Sequence, residues 1–344
     1  MQKIVIIGNG TRAHKLYIPL IKKLPFFKLW GICGGNYTKT TQVSRSLNIK
    51  AYIDIDEVLS DPEVDSLISC VDWTKNSSIY QKIATSDKAA LLETPLGHDW
   101  DSIKQSYESL RNKNSYLDIC EQYHMRPIEI LKRRLIEQDV FGKIVHTFCI
   151  GVGHEYHGVS LLRSYLGFND KVSNVFSMQK DMPYFKHISH KDVFFPGERI
   201  QNAILEFKSG AMGMFHWSWL NYFSAIRGER SSGFYGTKGS AMGENCTVFI
   251  NDTEPPKPIE FRRYTRVVDG IEVLQEITAS INTRVLARWL NPLPNIILNE
   301  DEIATCYFLI NLYKAQKNKT IKPVYPLDQA YEDHILVNKI SSAV

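Results

Sequence analysis

Apolar residues arrive in short blocks over the first third of the chain. "KIVIIG" (3–8), "FKLWGIC" (27–33), "DSLISCV" (65–71), "AALLE" (89–93) and "SYLDIC" (115–120) have the length and continuity of buried strands. Between them, residues 12–24, 55–61, 77–86 and 99–112 space their apolar positions for helices, and "HDWD" (98–101) gives the last an acidic first turn. Strand-like and helix-like patterns alternating over short connections predict an α/β arrangement, a parallel sheet with helices on both faces. Such sheets bind ligands at the carboxyl ends of their strands.

The rhythm changes after residue 120. A helix (127–138), a strand (143–150) and a helix (157–166) are followed by long alternating stretches separated by turn signals. "RIQNAILEF", "KSG" and "AMGMFHWSW" (199–219) read as a hairpin around a glycine-containing turn. Alternation there puts Phe215, Trp217 and Trp219 on one face, as core or subunit interface, with a sugar-binding platform as the alternative. Residues 301–319 form a helix with an acidic start and a basic finish. The expectation is a domain over 1–120 and an α+β domain over 121–344 built on a mostly antiparallel sheet.

Composition agrees with that division. A chain of 344 residues exceeds the size at which single cores usually stop growing, about 250–300 residues. Hydrophobic content of 44% and charged content of 23% are those of an ordinary globular protein. The net charge of +4 is spread without a basic block, so no nucleic-acid partner is expected, and "LKRR" (131–134) reads as the solvated face of a helix. Six cysteines lie far apart with no C-x-x-C pair and read as buried free thiols. The opening "MQKIVIIG" is too short for a signal-peptide core, and no run approaches a membrane span of about 18 apolar residues. A cytoplasmic protein without a membrane partner is the expectation.

"GNGTRA" (8–13) fits G-x-G-x-x-G/A directly after a buried strand. Gly8 allows the tight turn, Gly10 lets the backbone approach a pyrophosphate, and Ala13 permits close helix packing, with Thr11 and Arg12 between them. The helix that follows presents free N–H groups to phosphates. The second strand of such a fold normally ends in the carboxylate that binds the adenosine ribose. Here "ICGGNYTK" puts Gly34 and Gly35 at that place, removing repulsion against a 2′-phosphate that Asn36, Thr38 and Lys39 could contact. NADP is therefore favoured over NAD, the alternative being a glycine-rich loop that accepts either.

The glycine loop, "DIDEVLSDPEVDSL" (54–67), "LLETPLG" (91–97), "FGKIV" (141–145), "HGVSLLRSYLG" (157–167), "FYGTKGS" (234–240) and the final helix occur in the order and spacing of the Gfo/Idh/MocA oxidoreductases, which this chain resembles. That resemblance implies an N-terminal Rossmann dinucleotide-binding domain, then an open-faced sheet domain used for homo-oligomer contacts, and a small-molecule substrate. It also implies that the loop at Glu93 and Pro95 borders the nicotinamide. Family members carry Glu-Lys-Pro there, and their lysine can stabilise charge developing on the reacting oxygen. This chain has Thr94, which can still hydrogen-bond a cofactor amide or a substrate hydroxyl.

The second catalytic segment of the family has an aspartate four residues before a histidine. His157 matches the histidine, but Gly153 stands at the aspartate position and Ser160 at a frequent later aspartate. The strand also runs into "HEYH" (154–157) with almost no loop. His157 could exchange the substrate proton, and Tyr156 or His154 could replace the lysine. Alternatively His157 caps its helix and its neighbours face solvent. The histidines are three apart rather than in H-E-x-x-H, so no metal site is expected. In "CEQYHMRP" (120–127), Gln122, Tyr123, His124 and Arg126 read as contacts to nicotinamide or substrate, or as packing. The expected activity is NAD(P)-dependent hydride transfer to or from a sugar, polyol or derivative. Reduction of a C=N bond and a catalytically silent cofactor-binding role are the alternatives.

Overall fold

The structure, a computed structural model, describes residues 1–184, 197–222, 228 and 230–342. The chain divides into two compact units: residues 1–125, 268–273 and 292–332 form the first, and residues 126–267, 274–291 and 333–344 the second.

The first unit holds a six-stranded sheet in the order β3-β2-β1-β4-β5-β6. Its strands are β1 (Gln2–Ile7), β2 (Phe27–Cys33), β3 (Lys50–Tyr52), β4 (Ser66–Ser69), β5 (Ala89–Leu92) and β6 (Leu117–Ile119), and the neighbouring pairs run parallel. Ile4, Val5, Ile6 and Ile7 are buried, as a strand covered on both faces requires. Ile7 pairs with both Cys33 and Ser69, so β1, β2 and β4 end level. The strand order reverses at β1, and a crevice forms beyond the carboxyl ends on either side of such a point.

Helix α1 (Ile18–Lys23) is entered through a π-turn, Ala13–Tyr17. Further helices are α2 (Tyr37–Leu47), α3 (Ile55–Ser60), α4 (Asn76–Ala84) and α5 (Trp100–Leu110). The sequence analysis placed no element between residues 33 and 55 and so missed α2, whose sequence "YTKTTQVSRSL" buries Thr40 and Ser44 rather than an apolar stripe. The three-residue β3 was missed with it.

The expected boundary at residue 120 also needs correction, because α8 (Glu300–Lys317), read as part of the second domain, belongs to the first unit. Its Ile303, Cys306, Phe308, Leu309 and Leu312 are buried. Asn311 donates to the Tyr116 hydroxyl at 2.7 Å, and the Asp118 carboxylate accepts the amides of Val324 and Tyr325 at 2.8 Å each. These bonds link positions about two hundred residues apart, which no local pattern reveals.

The second unit is built on α6 (Pro127–Glu137), α7 (Glu155–Ser164) and a ten-stranded sheet in the order β16-β15-β14-β13-β12-β11-β7-β10-β9-β8. In chain order the strands are β7 (Ile144–Ile150), β8 (Val172–Met182), β9 (Glu198–Phe207), β10 (Met212–Ser218), β11 (Ser231–Gly236), β12 (Gly239–Met242), β13 (Asn245–Val248), β14 (Lys257–Val268), β15 (Ile271–Ile281) and β16 (Arg284–Leu290). β7 and β10 pair in parallel, whereas β8 with β9, β9 with β10, β7 with β11, and β11 through β14 in sequence run antiparallel. The hairpin expected over 199–219 is β9 and β10.

Phe215 and Trp217 are buried on the helix-facing side of β10; Gly158 of α7 lies so close that a Cβ there would stand 2.9 Å from the Phe215 ring. Trp219 does not share that strand face, because β10 ends at Ser218 and Trp219 opens a short turn. On the opposite face, register aligns Phe176, Ile204 and Met214 across β8, β9 and β10. Phe176 is 64% exposed and Ile204 41% exposed. The last helix, α9 (Leu327–Ser342), changes unit between Glu332 and Asp333. Among the described residues no helix is long and apolar enough to cross a membrane.

Candidate functional site

A cleft of about 820 Å³ opens at the carboxyl ends of β1, β2 and β4. Gly8, Gly10, Thr11, Arg12, Gly34, Asn36 and Lys39 line it, as the sequence led us to expect. Gly8 has φ +118°, and a Cβ there would stand 2.6 Å from the carbonyl oxygen of Cys70, so only glycine fits this turn. At Gly10 nothing lies within 4 Å of where a Cβ would be, leaving the backbone open to the cleft. Ala13 is fully buried under the loop. Asn9 pairs its Oδ1 with His14 Nε2 at 2.6 Å, while its Nδ2 is buried without a partner.

At the end of β2 the Asn36 side chain accepts the Lys39 amide at 2.9 Å and so caps α2. Thr38 is exposed in the first turn of α2 and is not part of the lining; Thr40 instead donates to the Gly34 carbonyl at 3.0 Å. The sequence reading missed Asp54, Asp72, Lys75 and Lys82, which also line the cleft. All stand just beyond strand ends or on the helices that follow, so the positions after β3 and after the strand expected over 65–71 were where to find them. Hydrogen bonds from the Asp56 amide and from Lys82 hold the Asp54 carboxyl below its usual range, and Thr74 does the same for Asp72. Lys39 and Lys75 make no ion pair among the described contacts. Open glycine backbone, an amide N–H without a partner among the described residues and the ammonium groups of Lys39 and Lys75 together fit a phosphorylated ligand such as a dinucleotide.

Glu93, expected at the cofactor, points into the protein. Its Oε1 accepts Arg12 Nε at 2.6 Å and the Tyr17 hydroxyl at 2.5 Å, and its carbonyl accepts the Tyr80 hydroxyl at 2.6 Å. Burial disfavours the Arg12 cation, but the Glu93 carboxylate outweighs that and raises its pKa. Thr94 is half-buried, its bond to Pro95 is cis, and the Pro95 carbonyl accepts Asn76 Nδ2 at 2.6 Å. The Gln122 carbonyl accepts the Met125 amide, and its Oε1 is buried without a partner. Glu93, Thr94, Pro95 and Gln122 do not line the 820 Å³ cleft.

In the second unit α7 begins two residues before the expected start. His154 is the N-cap residue, with no side-chain cap bond, and His157 lies one turn in and is 6% exposed. His157 therefore does not cap the helix. Gly153 has φ +66°, a backbone that disfavours the aspartate expected by resemblance, and its carbonyl accepts Trp217 Nε1 at 3.0 Å. Ring centroids of Tyr156 and His157 are 4.4 Å apart, those of His154 and Tyr156 5.7 Å. The cluster gains a member that the sequence did not single out: His334 of α9, 5.4 Å from Tyr156. A lone histidine inside a helical pattern carries no spacing signal, and only folding brings it here.

Burial disfavours charge on three groups of this cluster, His334, His154 and Glu155. Burial, with the nearby His157, pushes the His334 imidazole down to about 3. The same causes lower His154, and burial pushes the Glu155 carboxyl up to about 7. A buried ion pair between Arg163 and Asp333 joins α7 to the end of α9 beside it. Among the described residues no group of three or more His, Cys, Asp or Glu side chains is arranged to hold a metal ion.

Strand order, glycine loop and cleft define a dinucleotide-binding Rossmann domain. Residues 2–119 match the model of the Gfo/Idh/MocA oxidoreductase family, NAD-binding Rossmann fold. An uncharacterized oxidoreductase of Schizosaccharomyces pombe is 24% identical over 146 residues, 42% of this chain; the match spans 40% of that relative's length. Among solved structures, levoglucosan dehydrogenase in complex with NADH and levoglucosan superposes with a TM-score of 0.71 at 15% identity, covering 99% of this chain and 96% of that one. An oxidoreductase from Agrobacterium radiobacter in complex with NAD+, L-tartaric acid and magnesium gives 0.69 at 15% identity, covering 98% and 94%. Similarity at this identity shows a shared fold across both units.

Proposed function

We propose that the chain is an NAD(P)-dependent oxidoreductase that moves hydride between nicotinamide and an uncharged sugar, polyol or derivative. The observation that carries this reading is the cleft with its open glycine backbone and its lysines. The relative with levoglucosan and NADH bound supports the substrate class. Bound nicotinamide supplies or accepts the hydride. The N–H groups of the Gly8–Ala13 loop hold the pyrophosphate, and Lys39, with no carboxylate beside it at the end of β2, favours the 2′-phosphate of NADP over NAD.

His157 exchanges the proton of the reacting hydroxyl or carbonyl, with Tyr156 and His154 as its nearest assistants. Thr94 takes the place of the family lysine as a neutral hydrogen-bonding group. Burial that disfavours charge on His154 and His334 suits a substrate without charge. The apolar row Phe176, Ile204 and Met214 supports a homo-oligomer formed through the open sheet face, and six buried free thiols fit a reducing cytoplasm.

The test is a fluorescence titration with NADPH and NADH, then turnover on a panel of sugars, polyols, their keto forms and imines. Binding with NADPH preferred and turnover of a polyol or sugar is expected. Absence of dinucleotide binding overturns the reading; turnover of imines alone overturns the substrate class.

A further inference from the structure

We propose that Glu93 is a positioning residue for the dinucleotide: its carboxylate turns Arg12 so that the two terminal guanidinium nitrogens face the cleft as ligands for the cofactor's pyrophosphate. The inference rests on the reading of the cleft as a dinucleotide site. The geometry that carries it is the single contact between the two side chains. A buried carboxylate beside an arginine usually takes a bidentate pair. Here Glu93 engages only Nε, and the same Oε1 also receives the Tyr17 hydroxyl. Among the described residues neither Nη atom has a protein partner, and Arg12 lines the cleft with its side chain 40% exposed. The free edge of its planar fork therefore lies where an anion would sit.

The π-turn explains how one carboxylate reaches both residues. Arg12 and Tyr17 are five positions apart, and on an α-helix side chains at that spacing diverge by about 140°. The Ala13–Tyr17 segment is wound as a π-turn, closed by the Ile18 amide on the Ala13 carbonyl. The wider turn brings residues five apart to the same side. Tyr80 holds the Glu93 carbonyl from below, so the strand end, the widened turn and the arginine form one rigid unit. The glutamate of the Glu93-Thr94-Pro95 stretch thus serves the cofactor's phosphates, whatever residue follows it.

The test uses the full chain and measures Kd for NADPH and NADH by fluorescence. Removing Arg12 alone leaves the buried Glu93 charge unpaired and can unfold the protein, so the informative variant is the double change Arg12→Met with Glu93→Gln. It should fold with an unchanged circular dichroism spectrum and bind both cofactors roughly tenfold more weakly, the worth of a charge-assisted hydrogen bond. The loss should shrink as salt rises from ~0.01 M to ~1 M, since a charge contact is screened and a distorted loop is not. Glu93→Gln alone should weaken binding by a smaller factor, and Arg12→Lys should recover part of it. Unchanged affinity in the double variant, or a loss independent of salt, overturns the proposal. Wild-type protein that binds neither cofactor overturns the dinucleotide reading itself, and this inference with it.

Discussion

The cleft at the ends of β1, β2 and β4 keeps positive charge available, whereas at the start of α7 burial disfavours charge on His154, His334 and Glu155. Lys39 and Lys75 line the cleft, and among the described residues neither makes an ion pair. In the cluster, burial holds His334 and His154 neutral and raises the Glu155 carboxyl towards protonation. The difference follows from the tasks proposed for them. Binding a polyanion wants fixed cations and exposed N–H dipoles, while moving a proton to a neutral hydroxyl wants groups whose two protonation states lie close in energy. Binding and chemistry should therefore be separable by mutation.

The largest effect expected is in the cluster. His157→Ala should lower kcat by about 10²–10⁴-fold, the usual contribution of a general acid or base, with the NADPH Kd unchanged. Stopped-flow turnover and fluorescence titration on the same preparation check this, and a parallel fall in affinity would dissolve the comparison. The next effect is on stability. His334 has its pKa depressed from 6.5 to about 3, so the unfolded chain takes up a proton that the folded one refuses as pH falls through that window. Wild-type stability should drop over this range more steeply than that of His334→Phe, by up to about 1.4 kcal/mol per pH unit. Thermal melts of both proteins between the two pH limits give the difference; parallel slopes would show that His334 is not held neutral.

In the cleft, Gly8→Ala forces a Cβ against the Cys70 carbonyl at positive φ. It should cost about 1–3 kcal/mol of stability and weaken both cofactors. Melting temperature and Kd together test it, and full binding by a stable variant would mean that the loop adapts. The smallest effect is the one that distinguishes cofactors. Lys39→Ala should weaken NADPH roughly fivefold, about 1 kcal/mol, and leave NADH alone. An equal loss for both would move Lys39 from the 2′-phosphate to the pyrophosphate.

The first region was the more legible, for a physical reason. Strands buried on both faces must be continuously apolar, and a phosphate loop must be glycine at fixed spacing, so β1 and "GNGTRA" announce themselves locally. Helix α2 hid because its buried face is Thr40 and Ser44, and α8 was misassigned because Asn311, Val324 and Tyr325 find Tyr116 and Asp118 only in three dimensions. In the cluster, "HEYH" drew notice by residue type, yet its helical start at Glu155 did not, since His154 caps through its backbone. Gly153 looked like a lost aspartate; its positive φ and the bond from Trp217 give it a structural task. His334 was invisible because its partners lie nearly two hundred residues earlier.

The bonds that Asp118 accepts from the Val324 and Tyr325 amides also order events during synthesis. As the chain leaves the ribosome, β1 through β6 emerge first, but the edge of β6 stays open until residues 292–332 have been translated. The second unit's sheet strands are all made in that interval. The unit whose strands are made first therefore waits with its sixth strand unsealed while most of its neighbour is built.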